Sequence, residues 1–376
     1  MTLARHLFRS SHLPLILVFS LLQFGCDDDG TGPINGFVPE PVDEFWQGTY
    51  ESLDHNQNGA LLLDLTRTGT LVKGQIMLHG RGTDTTQRHF FLSGTSAGDS
   101  LHLGLDYDLI SYQFTFSLAG EVSSDSTGFS GVFNLPIAGL EASLQADVQV
   151  LGELAADSSV ELRYDIHALA VAGDHLWLST LGSSYVGMTL DGAIDSTITV
   201  YLENMAIWTS VGLAANGTSF WGTLPVSVSN GTSVTNVADL IEFGYDGMVK
   251  QRVRVPMRVP GLAYDGSALW TLGPDIDVLY RLDGSGNVVE TVPISVPDCT
   301  YLEYDGPYFW SVGWFLSNLY QIDRTGKTVA VYHLPEEVLG PFPGGLAFDG
   351  TKFWYSAAAP SLHLPGSLLS SFHVVE

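Results

Sequence analysis

Gly261-Leu-Ala-Tyr-Asp-Gly-Ser-Ala-Leu-Trp270 decides how this chain folds, because the second half of the sequence repeats it five times. The other versions are Ala168-Leu-Ala-Val-Ala-Gly-Asp-His-Leu-Trp177, Gly212-Leu-Ala-Ala-Asn-Gly-Thr-Ser-Phe-Trp221, Tyr301-Leu-Glu-Tyr-Asp-Gly-Pro-Tyr-Phe-Trp310 and Gly345-Leu-Ala-Phe-Asp-Gly-Thr-Lys-Phe-Trp354. Their tryptophans stand 44, 49, 40 and 44 positions apart. Two copies run on in parallel: Leu279-Tyr-Arg-Leu-Asp283 leads to Gly286, and Leu319-Tyr-Gln-Ile-Asp323 leads to Gly326. Each copy therefore reads as strand, Asp-Gly turn, strand ending in Trp, loop, strand, second turn, strand.

Asp-Gly and Asn-Gly favour the tight turns that match strand twist. Short apolar runs rich in Val, Leu, Tyr and Trp suit buried strands. One such sheet cannot bury both of its faces, so the copies must stack. A period in the low forties with four strands predicts a β-propeller. About 43 residues without disulfide or metal are too few for five independent domains. The last copy, Gly345 to Glu376, holds only three strands, whereas Val160-Glu-Leu-Arg-Tyr164 precedes the first copy with no blade of its own. That strand is expected to complete the last blade and clasp a five-bladed ring over about 155–376. The repeats resemble those of NHL-type propellers and of plant-type glutaminyl cyclotransferases. The resemblance covers about 215 residues and implies a scaffold, not an activity. The cyclotransferase signature, Gln-Gly-Leu with a downstream Glu-Ser-Thr-Gly, is not found in this sequence.

Residues 45–152 have a different rhythm. Trp46-Gln-Gly-Thr-Tyr50 opens a series of alternating segments: Ala60–Leu65, Leu71–Leu78, His89–Leu92, Leu101–Leu105, Tyr112–Leu118, Phe129–Phe133 and Ala142–Ala146. Alternation with period two puts one face in a core. Turn signals every 8–12 residues or so predict a small antiparallel barrel or sandwich. The order Trp-x-Gly-x-Tyr, strand, Val-x-Gly, strand, Gly-x-Phe-x-Gly is similar to the lipocalin-like barrels of many bacterial lipoproteins. A barrel this short is expected to be filled by its own side chains. The chain is thus read as all-β, a small antiparallel β-barrel followed by a five-bladed β-propeller closed by an N-terminal strand.

The chain has 376 residues, 15 Lys+Arg against 41 Asp+Glu, and a net charge of −26. Only 15% of it is charged, against about 25% in an average domain, so it is acidic by scarcity of bases. Such a chain offers no broad basic surface for nucleic acid. With 45% hydrophobic residues it is not a disordered acidic tail.

Residues 1–26 read as an export signal: Arg5 and Arg9, then the apolar run Leu13–Leu22, too short for an ordinary membrane span. The run ends at Gln23-Phe24-Gly25-Cys26, which resembles the lipobox of bacterial lipoproteins, although Gln23 departs from the usual aliphatic residue. The resemblance implies lipidation at Cys26, export, and a lipid anchor in the envelope of a Gram-negative-type bacterium, with the choice of inner or outer membrane left open. Residues 27–44, beginning Asp27-Asp28-Asp29-Gly30, read as an acidic Gly/Pro-rich tether. With Cys26 lipidated, Cys299 is alone and no intrachain disulfide is expected.

Few residues carry chemistry. Asp54-His55-Asn56-Gln57-Asn58-Gly59 matches half of a calcium loop, but the twelfth position is Leu65, and a hairpin turn is the better reading. His79, His89 and His102 fall on successive strands and read as polar surface. No metal or cofactor is expected, since no Walker loop, dinucleotide fingerprint or His-x-x-x-His occurs.

The informative positions are departures from the repeat. The third residue of each copy is Ala170, Ala214, Ala263 and Ala347, but Glu303 in the fourth. First strands line a propeller channel, where a carboxylate must be paired, wet or liganded. Residues just ahead of these strands belong at the channel mouth: Asp165, His167, Thr209, Arg258, Asp298 and Thr300. Glu303, Asp298, Arg258, His167 and Asp165 form the candidate ligand site, the alternatives being ordinary loop chemistry or a Glu303–Arg258 ion pair. The second copy spans 25 positions from Trp221 to Asp246, against 13 from Trp270 to Asp283 in the third, with a polar insertion at Val226–Asn236 expected to be a flexible loop.

The functional expectation is a non-catalytic envelope lipoprotein that binds a protein, glycan or small-molecule ligand through a propeller face. The alternative is a propeller enzyme, lactonase-like or cyclotransferase-like, built on Glu303, Asp298 and His167 at the channel.

Overall fold

A computed structural model describes residues 40–53, 57–80, 87–105, 117–123, 127–135, 140–180, 183–202, 210–229, 234–273, 278–294, 296, 299–314, 316–335, 338, 343–358 and 366–375. Residues 1–39, with Cys26, the segment read from the sequence as export signal and most of the segment read as tether, lie outside them, as do Asp54–Asn56, Thr209 and Asp298.

Eight strands close an up-and-down barrel: β1 (Val42–Ser52), β2 (Asn58–Thr68), β3 (Leu71–Gly80), β4 (Gln87–Ala97), β5 (Ser100–Leu105), β6 (Ser117–Val122), β7 (Gly128–Leu135) and β8 (Leu140–Val148). Closure comes from β1 pairing antiparallel with β8, Trp46 opposite Val148. Alternation delivers Leu61, Leu63 and Leu65 of β2 to an interior shared with Trp46, Tyr50, Ile76, Leu78, Phe129, Phe133 and Leu144. The interior is thus filled, as eight strands allow. The pairs Tyr50–Gly59 and Glu51–Asn58 make the half calcium loop a hairpin.

Two strands carry the chain onward. β9 (Leu151–Gly152) adds a parallel fifth strand to the fourth blade, and β10 (Leu154–Leu162) joins the fifth. The blades follow in order. The first holds β11 (Ala168–Ala172), β12 (His175–Ser179), β13 (Ser184–Thr189) and β14 (Ile194–Thr199); the second holds β15 (Leu213–Ala215), β16 (Phe220–Ser229), β17 (Val234–Phe243) and β18 (Val249–Val255). The third holds β19 (Leu262–Tyr264), β20 (Leu269–Leu272), β21 (Val278–Leu282) and β22 (Val288–Pro293). The fourth holds β23 (Cys299–Tyr304), β24 (Phe309–Gly313), β25 (Asn318–Ile322) and β26 (Thr328–His333); the fifth holds β27 (Pro343–Phe348), β28 (Phe353–Ala358) and β29 (Ser367–Val374).

The five inner strands contact one another in a closed ring, with β11 meeting both β15 and β27. The clasp is present: β10 pairs antiparallel with β29, Val160 opposite Leu369. It begins earlier than the sequence reading placed it, at Leu154. Hydroxyl pairs reinforce it, Ser158 with Ser371 at 2.9 Å and Ser159 with Ser370 at 2.7 Å.

One expectation is corrected. The insertion of the second copy is not a loop over its whole length. β16 and β17 run on in register, pairing Val226 with Val237 and Ser229 with Val234. Val226-Ser-Val-Ser keeps strand-type alternation and Val234-Thr and Val237 are β-branched, so the ladder extends outward.

The barrel sits on the propeller. Phe45, Leu62 and Met77 point out of the barrel, yet each is fully buried. They share one core with Leu279, Leu316, Tyr320 and Val331. This explains why β2 is buried without interruption from Gly59 to Leu65: its inner face fills the barrel and its outer face meets the fourth blade.

Candidate functional site

The repeat builds the site in layers. The second residue of every copy is leucine, and Leu169, Leu213, Leu262, Leu302 and Leu346 meet around a cavity of about 10 Å³ in the middle of the channel. That is the size at which a single water just fits. The channel is therefore blind. Glycine precedes the leucine where the next inner strand comes closest. A Cβ on Gly261 would lie 2.8 Å from the Leu302 amide, and one on Gly345 would lie 2.8 Å from the Leu169 amide.

At the end where the inner strands begin, a cavity of about 380 Å³ opens. Asp165 and His167 precede β11, Arg258 precedes β19, and Thr300 and Tyr301 lie on β23; all five line this cavity together with Trp314 and Pro343. Three of the five candidate residues are thus brought together: Asp165, His167 and Arg258. Asp298 lies outside the described residues. Glu303 does not line the cavity.

His167 is half-buried; its backbone N–H donates to Ser179 O at 2.9 Å, but its ring Nε2 is buried without a hydrogen-bond partner. Burial pushes its pKa down, partly opposed by the Asp165 carboxylate, so the ring is neutral near pH 7. Arg258 is exposed, and no carboxylate among the described residues pairs with it within 4 Å. Tyr301 donates its hydroxyl to Pro343 O at 2.9 Å, bridging the fourth blade to the fifth. Burial pushes that hydroxyl's pKa up, so it stays a neutral donor. Trp314 leaves 40% of its surface exposed at the rim. Sequence reasoning missed Trp314. The available signal was a second Trp four positions after Trp310, in a loop where no other copy carries an aromatic pair.

Glu303 lies one residue beyond the leucine ring, opposite Trp310 where the other copies place alanine opposite Trp. It is partly buried, and no cation among the described residues pairs with it. Its carboxylate accepts a hydrogen bond from the Tyr304 amide at 2.8 Å and another from the Phe348 amide. Burial, with a smaller push from Asp305, outweighs those bonds and raises its pKa to about 8. The proposed Glu303–Arg258 ion pair is absent.

Among the described residues no group of three His, Cys, Asp or Glu side chains is placed to hold a metal ion. His89 donates its Nε2–H to Gln75 Oε1 at 2.9 Å, and His79 is buried, so these two barrel histidines are partly interior rather than surface.

The fold and cavity define a five-bladed propeller with a blind channel-mouth pocket, joined to a filled eight-stranded barrel. No protein-family model matches the sequence, and no curated protein matches it. Solved structures do. The glutaminyl cyclase of Myxococcus xanthus is similar at 15% identity and a TM-score of 0.44, spanning 61% of this chain and all of that one. Regucalcin of Agrobacterium tumefaciens, a calcium-binding protein, is similar at 13% identity and a TM-score of 0.38, over 69% of this chain and 86% of its own. BamB of Moraxella catarrhalis is similar at 12% identity and a TM-score of 0.31, over 76% and 93%.

Proposed function

We propose that this chain is an exported envelope lipoprotein, anchored through Cys26, that binds a small ligand at the mouth of the propeller channel and does not turn it over. The observation that carries the reading is the convergence of Asp165, His167, Arg258, Thr300, Tyr301 and Trp314 on one blind cavity of about 380 Å³. A concave site with an apolar floor and a few convergent polar groups is the usual form of a ligand pocket. Arg258 offers its donors to an anionic or hydrogen-bond-accepting group, and Trp314 offers a flat apolar face. The enzyme reading needs Glu303 beside His167. Glu303 instead lies past the leucine ring, bonded to backbone amides, which favours binding over catalysis.

Two measurements test this. A library of small carboxylates, sugars and amino acids is screened by thermal shift against the full chain. At least one class is expected to raise Tm for the wild type, with the shift lost in Arg258→Ala and Trp314→Ala; hits insensitive to both variants refute the pocket. In a bacterial host, labelled palmitate is expected in the wild type and not in Cys26→Ser. A soluble, unlabelled wild type refutes the anchor.

A further inference from the structure

The strand-to-strand connection of the fourth blade serves two surfaces at once. At one end Trp314 lines the channel-mouth cavity. At the other, Leu316 is buried in the core that Phe45, Leu62 and Met77 of the barrel share with the propeller. Asn318, only 1% exposed, donates its side-chain N–H to Asp64 Oδ2 of the barrel at 3.3 Å. Between them Ser317 is held at φ 54°, a left-handed conformation that costs a side-chain-bearing residue and persists only where its surroundings enforce it.

The Ser317 carbonyl accepts the Leu334 N–H at 3.4 Å, and the residue after it is anchored by Asp64. Asp64 sits on β2 in the cleft between barrel and fourth blade and gathers donors from both. Asn318 of β25 reaches one oxygen. His333 of β26 reaches the other through Nε2 at 3.1 Å. Gln75 of β3 approaches Oδ2 at 3.5 Å and is itself bonded to His89 of β4. The other charged groups facing the cleft are Asp43, 4.0 Å from His333 Nδ1 and bonded to Thr66, and Lys73 on β3. Asp64 also interrupts the apolar run Ala60-Leu-Leu-Leu-Asp-Leu65. A carboxylate at a covered position is expensive unless its partners are built for it, and here one of them, Asn318, directly follows the connection that carries Trp314.

We infer that Asp64 of the barrel is a positioning residue for the propeller pocket: by holding Asn318, the neighbour of the strained Ser317, it fixes the end of the connection that presents Trp314 at the channel mouth. The barrel is then part of the binding apparatus, although it touches no ligand. Its value for binding rests on the pocket reading above; its hold on Trp314 does not, and the test separates the two.

Trp314 is read by acrylamide quenching of the full chain, as the difference between each protein and its Trp314→Phe counterpart. Hydrogen exchange of peptides spanning 311–319 is followed alongside. Asp64→Ala is expected to raise the Trp314 quenching constant about two-fold and to speed exchange of 311–319 at least ten-fold, with the 168–172 strand unchanged. Asn318→Ala, which leaves the barrel intact, is expected to reproduce both effects, and the double variant to add little to either. Wild-type quenching in both variants overturns the proposal. So does loosening that spreads equally through barrel peptides 60–65 and 72–78, or additive effects in the double variant. If a pocket ligand emerges from the thermal-shift screen, Asp64→Ala should weaken it about ten-fold although neither Arg258 nor Trp314 is itself substituted. Unchanged affinity beside a loosened Trp314 refutes the pocket reading and leaves the positioning intact.

Discussion

Glu303 carries a carboxyl group where the other four copies have alanine, and that group is neutral at pH 7. Its pKa of about 8 exceeds the ordinary value of 4.5, so the folded chain keeps a proton that the unfolded chain releases. The sign follows. This residue does not penalise stability below about pH 4.5, and stability falls as pH rises from there to about 8, by roughly 1.4 kcal/mol per pH unit at most. Glu303→Gln keeps an acceptor for the Tyr304 amide without the ionisation. Its Tm is expected to match the wild type at pH 5 and to exceed it by several degrees at pH 8.5, as measured by calorimetry; equal Tm values at both would refute a buried neutral acid. The oddity of Glu303 was legible from the repeat alone. Its environment was not, because the amide of Phe348 comes from the next blade, which only the ring brings near. Asp165, His167 and Arg258 were legible as a group because blade geometry assigns all such positions to one mouth.

At the level of elements, the Asp-Gly turn does more than reverse the chain. Asp265, Asp305 and Asp349 each accept backbone N–H groups within the turn and also the indole N–H of the copy's Trp, at 2.9, 2.7 and 2.8 Å. Burial opposes ionisation of Asp265, yet the bonds from Ser267 and Trp270 prevail and hold its carboxyl well below the ordinary range. The first copy has Ala172 at this position, and Trp177 Nε1 is buried without a hydrogen-bond partner among the described residues. Ala172→Asp is therefore expected to supply the missing acceptor and stabilise the first blade by about 1 kcal/mol, a Tm gain of about 2–4 °C in calorimetry. Loss of stability would show that the first turn cannot seat the carboxylate as the others do. This second duty of the aspartate was hidden in the sequence, since a turn residue and a tryptophan five positions later carry no mark of contact. The continuation of β16 and β17 was hidden for a related reason: a strand rich in Ser, Thr, Asn and Gly has the composition of a loop.

For the whole molecule, the unread feature was docking. Each domain was legible separately from its period, 2 in the barrel and the low forties in the propeller. Their contact was written in β2, where Leu61-Leu62-Leu63 breaks the alternation a free barrel strand would keep. Three outward side chains, Phe45, Leu62 and Met77, bury fully and contribute roughly 1.5–3 kcal/mol each by area. Met77→Asp places a carboxylate in that contact. It is expected to cost about 3 kcal/mol or more in urea unfolding and to open the 149–153 connection to limited proteolysis. A variant as stable and as resistant as the wild type would mean the two domains fold without leaning on each other.

The clasp between β10 and β29 has a kinetic consequence. Ser158 and Ser371, bonded across it, are 213 residues apart. Contacts so distant in the chain are reached only after the loop between them has lost its freedom, and pairings of this kind form slowly. Each blade can nucleate by itself from local hairpins, but the seam forms once all five stand in place. The same delay protects the finished ring: once the seam is shut, no single blade can leave without parting strands from opposite ends of the propeller.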